Sequence, residues 1–159
     1  ACDYDRDVDM DLLLASPTSI IACVLENILH GQFRFQLLDR DWSAVGAAHA
    51  ITFAELDGNV SWDWIIAKPD SVVALRTKTV QTGQCLPHVS DTVEQAANHI
   101  GLFDFDNDGH MDILLQGSQS LSIHRNVGDG SFAVRAAWSS DILIDDTVRP
   151  AIADIDGDG

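Results

Sequence analysis

The sequence predicts an all-β protein, and three observations carry that prediction. An acidic string recurs at near-constant spacing along the 159 residues. Short runs rich in Val, Ile, Leu and Phe stand on either side of the second and third copies. Gly, Pro, Asp and Ser punctuate those runs, which is strand-and-turn chemistry rather than helix chemistry. Four such runs per unit of about fifty residues is the arithmetic of a β-propeller blade, whereas a parallel β-helix repeats at roughly half that length or less. The expected architecture is therefore a β-propeller of four-stranded blades, about three of them present, which is an incomplete ring.

The acidic strings DYDRDVDMDLL (3–13), ELDGNVSWDWI (55–65) and DFDNDGHMDIL (104–114) align without gaps. A fourth copy, DIDGDG, begins at Asp154. The starts at 3, 55, 104 and 154 set repeats of approximately 1–48, 49–97 and 98–147, with the start of a further repeat at 148–159. A first strand-like run precedes the loop at 51–54, 100–103 and 151–153. A second follows it at 12–14, 64–66 and 113–115, and a third occupies 20–25, 72–75 and 121–124. A glycine turn then leads to a fourth, clearest at 33–37 and 132–134. The stretch Asp91 to His99 has some helical character but reads as a loop between blades. Because propellers need four to eight blades to close, the chain is expected to be a segment of a longer polypeptide. Association of copies through open blade edges is the alternative.

Composition narrows the partners. Apolar residues make up 46% of the chain and charged residues 21%, a globular balance. With 25 Asp+Glu against 9 Lys+Arg the formal net charge is −16, so nucleic acid and anionic membranes are excluded as partners. No stretch approaches the roughly 18 to 20 apolar residues of a transmembrane helix, so no membrane insertion is expected within this segment. No basic-then-apolar leader opens it either. Cys2, Cys23 and Cys85 form no metal-type spacing; small buried residues are the simpler reading, with a Cys2–Cys23 bridge the alternative.

The acidity is clustered, and crowded carboxylates are costly unless a cation offsets them. In the third copy Asp104, Asp106 and Asp108 occupy loop positions 1, 3 and 5, Gly109 position 6 and Asp112 position 9. Alternate residues of a turning backbone can aim at one centre, and hard oxygen donors suit Ca²⁺, which takes roughly six to eight oxygens. Glycine at position 6 permits a positive φ. His110 at position 7 would offer its carbonyl, its imidazole being a poor ligand for so hard an ion. An EF-hand shares the opening but needs a glutamate at position 12, where Leu14 and Leu115 stand, and flanking helices.

Residues 104–112 and 154–159, with the segment Asn126-Val127-Gly128-Asp129-Gly130-Ser131-Phe132, resemble FG-GAP/VCBS repeats of integrin-α-type propellers. The resemblance implies a loop between the first two strands of each blade that binds calcium through positions 1, 3, 5 and 9 and the carbonyl at 7. It carries over to Asp104, Asp106, Asp108, His110 and Asp112, and to Asp3, Asp5, Asp7, Asp9 and Asp11. In this first copy Val8 replaces the glycine and should distort the loop. The second copy offers Glu55, Asp57, Asn59, Ser61 and Asp63, with Val60 at the glycine position. The fourth supplies Asp154, Asp156 and Asp158, which cannot close a site alone.

The resemblance also implies a secreted, cell-surface or periplasmic protein, where calcium is abundant. The expected role is a non-enzymatic interaction or adhesion scaffold for a protein or glycan ligand. The alternatives are a lectin-like propeller and an accessory domain of a larger secreted enzyme. The histidines His30, His49, His88, His99, His110 and His124 show no close ligand spacing. His49 and His99 precede equivalent strands and read as structural. Trp62 and Trp64 stand at apolar repeat positions and read as packing, whereas Trp42 and Trp138 fall near blade ends, where a sugar could stack. No hydrolase, phosphate-loop or dinucleotide motif occurs.

Overall fold

The computed structural model describes residues 7–16, 19–29, 31–37, 48–59, 61–79, 85–141, 148–153 and 155. Among them there are eleven strands and no helix. The strands form three antiparallel sheets in which each strand pairs with its neighbour in the chain. The first sheet comprises β1 (Leu12–Ser16), β2 (Ser19–Asn27) and β3 (Phe33–Leu37). The second comprises β4 (Ala50–Ala54), β5 (Asp63–Ala67), β6 (Val72–Thr79) and β7 (Cys85–Val93). The third comprises β8 (His99–Phe103), β9 (Asp112–Gln116), β10 (Leu121–His124) and β11 (Trp138–Ser140). These are blade-like meanders, as a partial propeller requires, and adjacent sheets touch along β1, β4 and β8.

Burial follows from the alternation of side chains along each strand. β5 and β9 are buried along their whole length, because each is covered on both faces. Ile65, Ala67, Val72 and Ala74 of the second sheet meet Ile113 and Leu115 of the third, with Phe132 and Leu56 completing that core. The opposite face of β5 sets Trp64 and Ile66 against Phe53, Val73 and Leu75. The rings of Phe53 and Trp64 meet edge to face, with centroids 4.1 Å apart and planes at 79°. Trp62 packs at the margin of the same cluster. Both tryptophans of the second loop are thus packing residues. Cys23 is buried and free.

Three expectations need correction. The fourth strand of the third sheet is Trp138–Ser140, not the run at 132–134. Phe132 makes only an isolated bridge to Asn126, because its ring is drawn into the core between sheets. The chain bulges outward at Val134 and rejoins where Ala137 N–H donates to Ile123 C=O at 2.8 Å. Residues 151–153 are not a strand. Asp91 to His99 is only partly a loop: Asp91, Thr92 and Val93 pair with Ala74, Val73 and Val72, leaving 94–98 as the connection.

The register also refines the repeat. Ala50 lies opposite Ala67 in the second sheet, and His99 lies opposite Gln116 in the third. His99 therefore corresponds to Ala50, and His49 to Asn98, one residue out from the sequence alignment. Among the described residues no helix is long and apolar enough to cross a membrane.

Candidate metal centre

The acidic loops are the hairpin connections 55–62 between β4 and β5, and 104–111 between β8 and β9. The registers of the flanking strands coincide: Asp63 lies opposite Ala54 and Asp112 opposite Phe103. Position 9 is thus the first residue of the central strand in both copies. That placement buries it, and Asp11, Asp63 and Asp112 are all fully inaccessible.

In the third loop Asp104, Asp106 and Asp108 offer carboxylate oxygens that all lie within 4.8 Å of one another. Asp104 shapes the turn by accepting Asp108 N–H at 3.0 Å and Gly109 N–H at 2.8 Å. Asp108 accepts His110 N–H at 2.9 Å. Gly109 has φ +87° and Asn107 has φ +57°, so the chain enters the left-handed region twice, at positions 4 and 6. Asparagine tolerates that conformation better than most residues. The His110 ring lies over Gly128, where a Cβ would stand 2.9 Å from Nε2. Asp112 is differently engaged: one oxygen accepts Phe105 N–H at 2.8 Å and the other Asn126 N–H at 2.7 Å.

The second loop brings together Glu55, Asp57 and Asp63, again within 4.8 Å. Glu55 accepts Asn59 N–H at 2.9 Å, and Asn59 accepts Ser61 N–H at 2.7 Å while its amide donates to Thr77 C=O. Asp63 accepts Leu56 N–H at 2.9 Å and Thr77 N–H at 2.8 Å. It is both a clamp and a member of the cluster. In the first loop Asp7 accepts Asp9 N–H at 3.1 Å, and Asp11 accepts Asn27 N–H at 2.7 Å. Val8 takes φ +78° despite its branched side chain, so the turn keeps its left-handed residue at the cost of strain. Asp3, Asp5, Val60, Asp154, Asp156 and Asp158 lie outside the described residues.

The electrostatics fit a site for a cation. Burial raises Asp63 to about 6, against the pull of its two backbone donors, and the neighbouring Asp57 and Glu55 add to the rise. Burial likewise raises Asp112 above the usual carboxylate range. Asp108 is lowered, first by the hydrogen bond from His110 N–H and then by His110 and Arg125 charge. The Arg125 guanidinium pairs with Asp106 and stands 3.4 Å from Asp108. The donor set is all oxygen, which suits Ca²⁺, Mg²⁺ or Mn²⁺ rather than zinc. Among the described residues Asp57 Oδ1 is buried and accepts no hydrogen bond, so that oxygen has a lone pair available to an ion. The residues present fit a hard divalent cation.

One residue that the acidic spacing does not point to is central. Asn126 follows β10 and is almost fully buried. Its Nδ2 donates to Leu56 C=O at 2.9 Å, across to the second sheet. Its Oδ1 accepts Gly128 N–H at 3.0 Å and Gly130 N–H at 3.2 Å, closing the turn that carries Phe132. A buried hydrogen-bond chain therefore runs from Asp63 through Leu56 and Asn126 to Asp112, joining the two loops. Arg76 reinforces the same junction by donating to Asp129 C=O. The only sequence signal was the spacing of Asn126, Gly128 and Gly130, since a side chain that accepts two N–H groups needs glycines that can turn them inward.

No curated protein and no solved structure matches the chain. The model of the FG-GAP-like repeat matches residues 104–159, a span that opens on the first carboxylate of the third loop. The acidic hairpin and the blade-like sheet around it are in keeping with that match, and residues 104–159 are similar to an FG-GAP-like repeat.

Proposed function

We propose that the acidic hairpins bind Ca²⁺ and that the metal stiffens an extracellular interaction scaffold. The observation that carries this reading is the convergence of three carboxylates in each of two successive loops, at 55–63 and 104–108. Asp104, Asp106 and Asp108 would hold the ion in one loop, with the His110 carbonyl. Glu55, Asp57 and Asp63 would hold it in the other, with Asn59 and the Ser61 carbonyl. A divalent ion supplies positive charge that lets the crowded carboxylates stay ionised. The protein supplies orientation: Asp63 and Asp112 pin each loop to the strand behind it, and backbone N–H donors fix Glu55, Asp104 and Asp108. Arg125 serves as a weaker, tethered counter-charge at Asp106 and Asp108.

The scaffold half of the proposal rests on the FG-GAP-like match and on surface chemistry. Leu12, Leu14, Phe33 and Phe35 are exposed on the first sheet, an apolar set that suits further blades or a neighbouring copy. The ligand is proposed to be a protein or a glycan, with no catalysis by this segment. Trp138, exposed on β11, favours a glycan contact as the second reading, and a glycan array with Trp138→Ala as control tests it.

The calcium reading is tested by calorimetric titration and by thermal melts in calcium and in chelator. A hundredfold excess of ion over its Kd stabilises a site by about 2.7 kcal/mol, so chelation should lower the melting temperature by several degrees. Asp108→Ala should remove the share due to the third loop. Coincident melts of the unaltered chain in calcium and in chelator would overturn the proposal.

A further inference from the structure

The strands that lead into the acidic loops, β4 and β8, carry a second group of polar side chains near their opposite ends. The acidic loops follow β4 and β8, whereas His49 and His99 stand where those strands begin, five residues or roughly 17 Å away at strand rise. A cavity of about 380 Å³ opens there, with Leu14, Ile51 and Ile100 among its apolar walls. Its polar lining comes from His49, His99 and Arg149, contributed by three successive repeats. In a chain with 25 acidic residues, no carboxylate among the described residues lines this cavity.

The placement of the three groups is built into the fold. His49 N–H donates to Ala67 C=O at 2.8 Å, fixing the neck of β4. His99 is half-buried and lies opposite Gln116 in the β8–β9 ladder. The Gln116 side chain, itself buried, donates from Nε2 to Val148 C=O at 2.7 Å, which holds Arg149 beside that end of the ladder. Ile152 lies so close over Gly101 that a Cβ there would stand 2.6 Å from its Cδ1, docking the same segment along β8. Among the described residues no carboxylate pairs with Arg149.

We propose that His49, His99 and Arg149 form a binding site for a small organic carboxylate, independent of the cation loops. A guanidinium offers five N–H donors and no acceptor, so the partner that Arg149 favours is an acceptor-only oxyanion, with the imidazoles of His49 and His99 lining the same cavity. Arg matches a carboxylate in bidentate fashion. The apolar walls and a volume within the usual range for ligand pockets favour an anion carried on an organic body over a bare inorganic one. The net charge of −16 opposes long polyanions but not a compact ion, because screening at physiological salt acts over about 8 Å.

The test is calorimetric titration of the chain with sodium benzoate and, separately, with sodium sulfate, alongside histidine NMR resonances to locate the contact. Saturable benzoate binding that shifts His49 and His99, tighter than sulfate, is the expected result. Arg149→Gln should weaken it about tenfold, the loss typical of one charge-assisted hydrogen bond. Because Arg149 is exposed, its melting temperature should stay unchanged. His49→Gln, at a second exposed position, should also weaken binding. Absence of saturable binding by either anion would overturn the site, as would benzoate binding that both variants leave intact. Tighter binding of sulfate would overturn the carboxylate assignment.

Discussion

Replacing Asn126 with alanine probes the hydrogen-bond chain between the two loops. The side chain serves three backbone groups: Leu56 C=O, Gly128 N–H and Gly130 N–H. Leu56 and Gly130 are buried at these bonds, so water cannot replace the lost partner. Gly128 is half-buried and can be hydrated. A buried backbone group left unmet costs about 1–3 kcal/mol, so two such groups near the lower half of that range amount to about 3 kcal/mol. For a chain of this length about 1 kcal/mol shifts Tm by roughly 2–4 °C, which places the expected fall at about 6–12 °C. Urea unfolding followed through the buried Trp64 gives the free energy directly. Asn126→Asp separates the two roles, because it keeps the acceptors for Gly128 and Gly130 but sets a carboxylate against Leu56 C=O. It should cost about 2 kcal/mol or more, most of it from the contact between sheets. A loss below about 1 kcal/mol for the alanine variant would refute the argument that Asn126 joins the loops.

Three further outcomes follow from the same geometry. In chelator, Asp63 should destabilise the fold as pH rises: its carboxyl has a folded value of about 6 against an unfolded 3.8, so its favourable protonated state holds below 3.8 and is lost through 6. The shift corresponds to about 3 kcal/mol. Urea melts at pH 4.5 and 6.5 should therefore show the unaltered chain losing stability relative to Asp63→Asn, and a flat difference would contradict this. Val8→Gly should raise stability by about 0.5–1 kcal/mol, the left-handed strain relieved less the backbone entropy that glycine adds. Val8 is 91% exposed, so little burial is lost, and a destabilised variant in thermal melts would show that the turn is not strained. Arg125→Gln should tighten calcium binding by about twofold to fivefold, the range of an exposed ion pair; titration showing equal or weaker affinity would remove Arg125 as a competing charge.

Most features that depend on neighbours in the chain were legible in the order of the amino acids. Turn residues beside short runs rich in Val, Ile, Leu and Phe placed most of the strands, because strand propensity and turn chemistry are local. The carboxylates at 104, 106 and 108 were legible as a cluster for the same reason, since odd positions of one short loop share a centre. The tertiary structure alone decided where the chain leaves its repeat. Phe132 departs from the expected strand because a core between two sheets takes its ring, and pairing resumes only at Trp138. Asp112 is held by Phe105 and Asn126 because strand register buries position 9, a fact about pairing partners. Val8 occupies a left-handed turn that its own preference opposes, and Asn126 bonds Leu56 seventy residues away. Such contacts form only when the sheets pack, and packing free energy outweighs the local preferences that a linear reading can follow.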